Sequence, residues 1–234
     1  MRSLLLVLLI GSTSLLSAQH LTYSEWQWQS AVDNRLAPRY GGRDKTAEQL
    51  ASDSAFVAQT LAVEPDRRKA SEGLTQLGFQ LLREGNLVHA MYRFNQAWLL
   101  DPSEPEIFRG YGAFFMALDR STDAGQEYAY GLMVDSVNVP LMVDFSAAIL
   151  AEQHQMETKD PEKADLMLSA AIRLLERAMR FDPKSAEAAF KLSVCHVVKK
   201  ECAEAWRYHD LAVSLGSTSI TPKFEAQLKA ECPK

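Results

Sequence analysis

Four side chains near the C-terminus could hold a metal ion. Cys195 and His196 are adjacent, and Cys202 and His209 follow at short intervals. Two thiolates and two neutral imidazoles form a ligand set that suits Zn²⁺. Their spacing matches no standard zinc pattern, so a second interpretation is favoured, in which the two histidines pack against each other in the core. Such a buried pair could still sense pH. Metal binding through these four residues is kept as the alternative interpretation.

The rest of the sequence carries no enzymatic motif. It contains neither the G-x-S-x-G turn of hydrolases, nor a phosphate-binding loop, nor the paired-histidine motif of metalloproteases. The segment Gly110-Tyr111-Gly112 is not interpreted as a nucleotide-binding loop, because no strand pattern precedes it. We therefore expect a protein without catalytic activity and without a cofactor.

Residues 1–18 have the composition of a secretory signal peptide. Arg2 precedes an apolar run at residues 4–10, and the small residues Ser17 and Ala18 offer a cleavage site. The run is too short to span a bilayer, and no later stretch reaches the required length. We expect an exported protein of the periplasm or the extracellular space, in a bacterial envelope. An uncleaved N-terminal anchor is the alternative.

Charge and hydrophobic content narrow the class further. The 234 residues include 25 Lys and Arg against 30 Asp and Glu, and the two signs are interspersed along the chain. Nucleic-acid binding is disfavoured because it requires clustered basic side chains that displace counterions. Hydrophobic residues make up 47% of the chain, enough to form a substantial core.

Two stretches of the chain repeat one pattern of large and small apolar residues 34 positions apart. The first stretch consists of Leu74, Leu77, Gly78, Leu81, Ala90, Phe94, Ala97 and Pro102. The second consists of Phe108, Tyr111, Gly112, Phe115, Ala124, Tyr128, Gly131 and Ser136. This pattern resembles the tetratricopeptide repeat (TPR), which has the same period. The resemblance implies an all-α solenoid of helical hairpins, in which small residues let helix backbones approach closely.

The resemblance divides the chain into four repeats with additional segments at both ends. The repeats are residues 71–104, 105–138, 139–185 and 186–216, preceded by a helix at 44–66 and followed by a capping helix at 219–234. The third repeat carries 13 residues more than its neighbours, so a longer hairpin that turns at residues 158–161 is expected. Terminal repeats need a cover over their apolar face, and the last helix is expected to supply it.

An aromatic leader occupies residues 19–43, before the first helix. It contains Trp26, Trp28 and Tyr40 but shows no helical period. We expect an extended, ordered segment whose aromatic side chains dock on the rest of the protein.

The resemblance also implies a binding groove, lined by the first helix of each repeat. By register, the groove residues are Phe79, Leu82, Arg83, Arg109, Ala113, Met116, Leu150, Phe190 and Val194. Family members that grip a C-terminal carboxylate use Lys and Asn side chains at positions that hold Thr75, Phe79 and Gly110 here. The expected function is therefore a non-catalytic scaffold that binds an apolar or aromatic segment of a protein partner.

Two alternatives would leave the groove without an external ligand. The tryptophans of the leader could fill it, or two chains could pack groove to groove as a homodimer. Either arrangement would cover an apolar surface that is otherwise prone to aggregation.

The three cysteines lie in the last 40 residues. The repeat assignment places Cys202 in the turn of the fourth repeat, close to the expected end of the capping helix and Cys232. A disulfide between these two would tie the cap to the solenoid. The alternatives are that all three cysteines are reduced, or that Cys195 and Cys232 form the disulfide.

Overall fold

The computed structural model describes residues 21–233, and this part of the chain consists of helices and connecting turns without a strand. The helices are α1 (Tyr23–Val32), α2 (Ala47–Val63), α3 (Arg67–Arg83), α4 (Leu87–Leu100), α5 (Pro105–Ala117), α6 (Ser121–Val134), α7 (Val139–Met156), α8 (Pro161–Phe181), α9 (Ala186–Val198), α10 (Cys202–Ser214) and α11 (Pro222–Glu231). None of these helices is long and apolar enough to cross a membrane. The predicted signal peptide, residues 1–18, lies outside the described residues.

Successive helices pair as four hairpins, α3–α4, α5–α6, α7–α8 and α9–α10. Helices α3, α5, α7 and α9 also contact one another in that order, so they form one face of the stack, called the inner face below. The second helices of the hairpins, α4, α6, α8 and α10, form the outer face. The all-α solenoid of helical hairpins expected from the sequence is confirmed.

Glycines on α3 and α5 make room for aromatic rings from the second helices. A Cβ atom added to Gly78 would lie 2.4 Å from Cε1 of Phe94, and one added to Gly110 would lie 2.3 Å from the same atom. Gly112 is in the same relation to Tyr128, at 2.2 Å from Cε1. The Phe94 ring therefore sits between the backbones of two consecutive repeats, which explains why small and large residues recur at a fixed spacing.

The third hairpin is longer than the others. Helices α7 and α8 have 18 and 21 residues, whereas α9 and α10 have 13 each. Asp160 caps α8 by accepting a hydrogen bond from the Lys163 N–H, and Pro161 occupies the first helical turn. At a rise of 1.5 Å per residue, the additional residues of α8 extend it by about 12 Å.

The leader is helical rather than extended, so that expectation is wrong. Thr22 and Glu25 form a capping box that starts α1, with the Thr22 N–H donating to the Glu25 carboxylate at 2.8 Å. Within α1 only Trp26 and Ser30 are buried, and one turn of apolar contact leaves no periodic stripe in the sequence. Local capping thus produces a helix that hydrophobic periodicity does not reveal.

The leader packs against α4, α5 and α6. Trp26 is buried edge-on against Phe114 and Phe115, and its Nε1–H donates to the Leu36 carbonyl oxygen at 2.8 Å. Trp28 is 73% exposed. Neither indole lines the clefts of the inner face described below, so the alternative in which the leader tryptophans fill the groove does not hold for these clefts.

Arg39 fastens the leader to the solenoid. Its backbone N–H donates to Asn95 Oδ1 of α4 at 2.8 Å and contacts the Tyr111 hydroxyl of α5 at 3.3 Å. Its guanidinium forms a two-point ion pair with Glu127 of α6, with Nη2 2.8 Å from Oε1. The bidentate geometry and the burial of Glu127 make this the best-defined contact of the leader.

Helix α11 covers the end of the last repeat. Phe224 and Leu228 on its buried side pack in one cluster with Val197 of α9 and Ala205 of α10. The Trp206 Nε1–H donates to the Cys232 carbonyl oxygen at 2.8 Å and holds the end of α11 against α10. The last hairpin is thereby shielded from solvent on its open side.

Candidate functional site

The inner face carries two adjoining clefts between α3 and α5. The first has a volume of about 710 Å³, and its lining includes Thr75, Gln76, Phe79, Glu104, Glu106 and Arg109. The second has a volume of about 630 Å³, shares Gln76, Phe79 and Arg109, and extends to Arg83 at the end of α3. Phe79 and Gln76 therefore stand at the junction of both clefts.

Phe79 and Arg109 form the centre of this surface. The Arg109 guanidinium carbon lies 4.4 Å from the centroid of the Phe79 ring, within the range of a cation–π contact. The Phe79 ring also packs edge-on against the Phe94 ring, with the two centroids 5.4 Å apart. A partly buried aromatic ring is thus held in a fixed orientation at the floor of the clefts.

Two carboxylates hold Arg109 in place. Its Nε donates to Glu106 at 2.6 Å, and its Nη1 donates to Asp144 of α7 at 3.2 Å. Burial disfavours the Arg109 cation, but the two carboxylates outweigh this cost and keep its pKa above the ordinary value. Burial also raises the pKa of Asp144, against the opposing effect of Arg109. The three side chains connect α5 to α7 across the inner face.

Glu104 lies in the turn before α5 and is only 2% exposed. The Ser71 and Thr75 hydroxyls contact its Oε2, whereas its Oε1 has no hydrogen-bond partner. Burial raises the pKa of this carboxyl to about 7, although the two hydroxyls and Arg68 act in the opposite direction. The first cleft therefore has a carboxyl group in its wall that titrates near neutral pH.

The structure distributes the sequence-predicted groove residues over several environments. Phe79, Leu82 and Met116 are partly buried against the core of the first two repeats, Ala113 is partly buried on α5, and Arg83 is exposed. Leu150 packs against the separate core of the third and fourth repeats.

Phe190 and Val194 are partly buried on the side of α9 that faces the cap helix α11. Both pack against the cluster formed by α11, and the Phe190 ring centroid lies 5.1 Å from that of Phe224. The apolar side of α11 needs a partner, and these two residues provide part of it. A groove that continues through the fourth repeat therefore stays a prediction at these positions, where the cap covers part of both side chains.

The lining of the first cleft is more acidic than the sequence suggested. Glu72, Glu104, Glu106 and Asp135 contribute carboxylates to it. The repeat register identifies positions on the first helix of each repeat, but Glu104 and Asp135 lie outside those helices. A glutamate directly before Pro105 at the start of α5 was the only available signal for Glu104.

The C-terminal cysteines and histidines do not form a metal site. Cys202 and Cys232 are disulfide-bonded, with their Cα atoms 5.1 Å apart, so Cys202 offers no thiolate. Among residues 21–233, no group of three or more His, Cys, Asp or Glu side chains is placed to hold a metal ion. Cys195 is free and buried, and burial raises the pKa of its thiol to about 12.

The two histidines have separate surroundings. His196 stacks on Tyr208 at 5.4 Å, and its Nδ1 lies 2.7 Å from a Glu201 oxygen. His209 packs edge-on against Trp206, and its Nδ1 lies 3.0 Å from Asp210 Oδ1. Both are buried, as the core interpretation expected, but each ring packs against a different aromatic neighbour.

Comparison with known proteins defines the architecture as a helical-repeat solenoid. A thermophilic TPR protein of Thermus thermophilus matches with a TM-score of 0.59 and 20% sequence identity, over 69% of this chain and 80% of that chain. The pilF protein of Pseudomonas aeruginosa matches with a TM-score of 0.38 and 21% identity, over 65% of this chain and 79% of that chain. The second score is too low to support a comparison of folds.

The first of these likenesses shows that the chain has the TPR fold, which confirms the resemblance found in the sequence. No protein-family model matches the chain. No curated protein matches it either.

Proposed function

We propose that the protein is a non-catalytic scaffold that binds a segment of a protein partner in the two clefts between α3 and α5. The observation that carries this proposal is the position of Phe79. Its ring is partly exposed where both clefts meet, and Arg109 fixes its orientation. An apolar anchor surrounded by a few oriented polar groups is the usual composition of a binding site.

The proposed site covers less of the inner face than a groove through all four repeats would. Helix α11 packs against apolar side chains of α9, and Leu150 of α7 packs against the core of the third and fourth repeats. The partner segment would therefore contact mainly the first two repeats, with Arg83 and Asp144 at the edges of the surface.

We also propose that the protein is exported to the periplasm or the extracellular space. The signal-like composition of residues 1–18 supports export. The Cys202–Cys232 disulfide supports it independently, because such bonds persist mainly in oxidising compartments. Mass spectrometry of the native protein provides the test, since export with cleavage predicts a new N-terminus close to Gln19. An intact N-terminus on protein retained in the cytoplasm would contradict it.

A displayed library of random 12-residue peptides tests the binding site. Gln76 is exposed at the junction of the clefts, so Gln76→Trp fills the space above Phe79 without changing the core. We expect the wild-type protein to select peptides and the variant to bind them at least tenfold more weakly. Gln126→Trp, an equivalent change at an exposed position of α6, is the control and is expected to leave binding unchanged.

Two results would contradict the proposal. Equal weakening by Gln126→Trp would place binding elsewhere, and the absence of any selected peptide would argue against a peptide-binding surface. Light scattering on the same samples distinguishes the homodimer, which would show a doubled mass that Gln76→Trp reduces.

A further inference from the structure

We infer that the partner segment presents a cationic side chain, lysine or arginine, to the acidic end of the first cleft while a large apolar side chain contacts Phe79. This inference rests on the proposed function. The acidic end consists of Glu72, Glu104 and Asp135, which lie around the N-terminal halves of α3 and α5.

The cations in the wall of this cleft are already paired. Arg109 is held between Glu106 and Asp144, and Arg68 Nε lies 2.7 Å from Asp101. Arg68 also donates from Nη2 to the Ser103 hydroxyl at 3.0 Å. An anionic group on a ligand would therefore have to compete with carboxylates that already hold these guanidinium groups.

The carboxylates at the acidic end have no such partner. Glu72 is exposed and makes no ion pair with any residue from 21 to 233. Asp135 accepts a hydrogen bond from the Val137 N–H at 3.1 Å but pairs with no cation in the same part of the chain. A cationic side chain entering the cleft would gain charge-assisted hydrogen bonds without displacing an existing pair.

Glu104 provides an independent indication that the ligand side chain is cationic. Its side chain is buried in the wall of the cleft, and Oε1 lacks a donor although each polar atom inside a protein normally has one. The charged neighbours on α3 are Arg68 and Glu72, which act on this carboxyl in opposite directions. A ligand cation above it would favour the ionised form and so convert a neutral carboxyl into an attractive charge.

The geometry of α3 gives a spacing for the two ligand side chains. Glu72 and Phe79 are seven residues apart, which corresponds to about 10 Å along a helix axis. An extended peptide covers about 3.3 Å per residue, so this distance equals about three residues. The expected pattern is therefore a Lys or Arg three positions from a large apolar or aromatic residue.

The peptide library described above provides the test. We expect sequences selected by the wild-type protein to be enriched in this pattern relative to the starting library. With Glu72→Gln/Asp135→Asn as the bait, the enrichment in Lys and Arg is expected to disappear, while the apolar preference remains. Glu176→Gln, which removes an exposed carboxylate on the outer face, is the matched control and should select the same peptides as the wild type.

A double-mutant cycle then isolates the charge interaction. One selected peptide is synthesised with its Lys and with norleucine in its place, and both are titrated against the wild type and against Glu72→Gln. We expect the norleucine peptide to bind the wild type about tenfold more weakly and the loss to be much smaller in the variant. Because Glu72 is exposed on α3, the single variant is expected to fold normally.

The outcomes separate the inference from the proposed function. Selected peptides that depend on an open Gln76 position but show no excess of Lys and Arg would overturn the inference and leave the proposed site intact. If the replacement of Lys by norleucine weakens peptide binding equally for the wild type and for Glu72→Gln, the inference would also be overturned. A library that yields no binding peptide would overturn both.

Discussion

Glu104 lies at a junction between two repeats, and its raised pKa of about 7 keeps a proton on its carboxyl below neutral pH. The Ser71 hydroxyl has one proton, and it also lies 3.0 Å from the Ala97 carbonyl oxygen of α4, which can only accept. When Ser71 donates to Ala97, its contact with Glu104 needs a proton on the carboxyl. The neutral acid therefore satisfies the contacts with Ser71 and Thr75 at Oε2, whereas ionisation would place a negative charge on a buried group whose Oε1 has no donor.

The stability of the protein should accordingly depend on the ionisation of Glu104. The pKa of this carboxyl is raised to about 7 in the folded chain, from 4.5. The protonated carboxyl stabilises the folded chain. This contribution is fully present below pH 4.5 and is lost as the pH rises through about 7, because the unfolded chain releases the proton at a lower pH than the folded chain does. Glu104→Gln should therefore be more stable than the wild type at pH 8 by about 1–3 kcal/mol and similar to it at pH 5. Urea unfolding at both pH values measures this, and a constant difference between the two proteins would contradict it.

At the scale of a helix, α3 contains two glycines with opposite requirements. Gly78 faces the Phe94 ring, and an added Cβ atom would lie 2.4 Å from it. Gly73 lies five residues earlier, and an added Cβ atom would meet nothing within 4 Å. One position therefore needs glycine for packing, whereas the other carries only its entropic cost in a helix.

Replacing each glycine by alanine should change stability in opposite directions. Gly78→Ala is expected to destabilise the protein by about 1–3 kcal/mol, because the Phe94 ring is also held against Gly110 and cannot move away. Gly73→Ala should stabilise it by about 0.5–1 kcal/mol, since the unfolded chain loses conformational freedom. Denaturant unfolding of the pair, each variant being the control of the other, is the measurement. Similar effects of both changes would show that ring packing does not determine the pattern.

The same helices show how far sequence alone could predict the fold and the site. The first two repeats were predictable because each of their hairpins buries an aromatic ring against a helix backbone, and that contact imposes a spacing of residue sizes. Helix α1 was not, because a capping box and the burial of Trp26 produce no periodic stripe. Phe79 and Arg109 followed from the repeat register. Glu104 did not, because its importance comes from burial between two helices rather than from a position within one.

At the scale of the whole molecule, a disulfide cross-links the cap helix α11 to the solenoid. The Cys202–Cys232 disulfide links the start of α10 to the end of α11 across 30 positions of sequence. Helix α11 buries mainly Phe224 and Leu228, so its non-covalent attachment is small. A loop of this length corresponds to about 3–4 kcal/mol of stabilisation in the chain-entropy model.

Breaking this bond should therefore release the cap before the rest of the protein unfolds. In Cys232→Ser we expect faster amide hydrogen exchange in α11 and at Val197, with unchanged exchange in α3 to α6. Cys195→Ala, which keeps the disulfide and removes the free thiol, is the control. Unaltered exchange in α11 would show that its apolar contacts suffice to hold it.

Arg39 has a consequence for the opposite side of the molecule. Through Asn95, Tyr111 and Glu127 this one residue joins three helices that belong to the first two repeats. Such a brace fixes the angle at which these repeats meet, and with it the separation of α3 and α5. The clefts between α3 and α5 would then be preorganised, and a partner that binds there would lose little affinity to rearrangement of the protein.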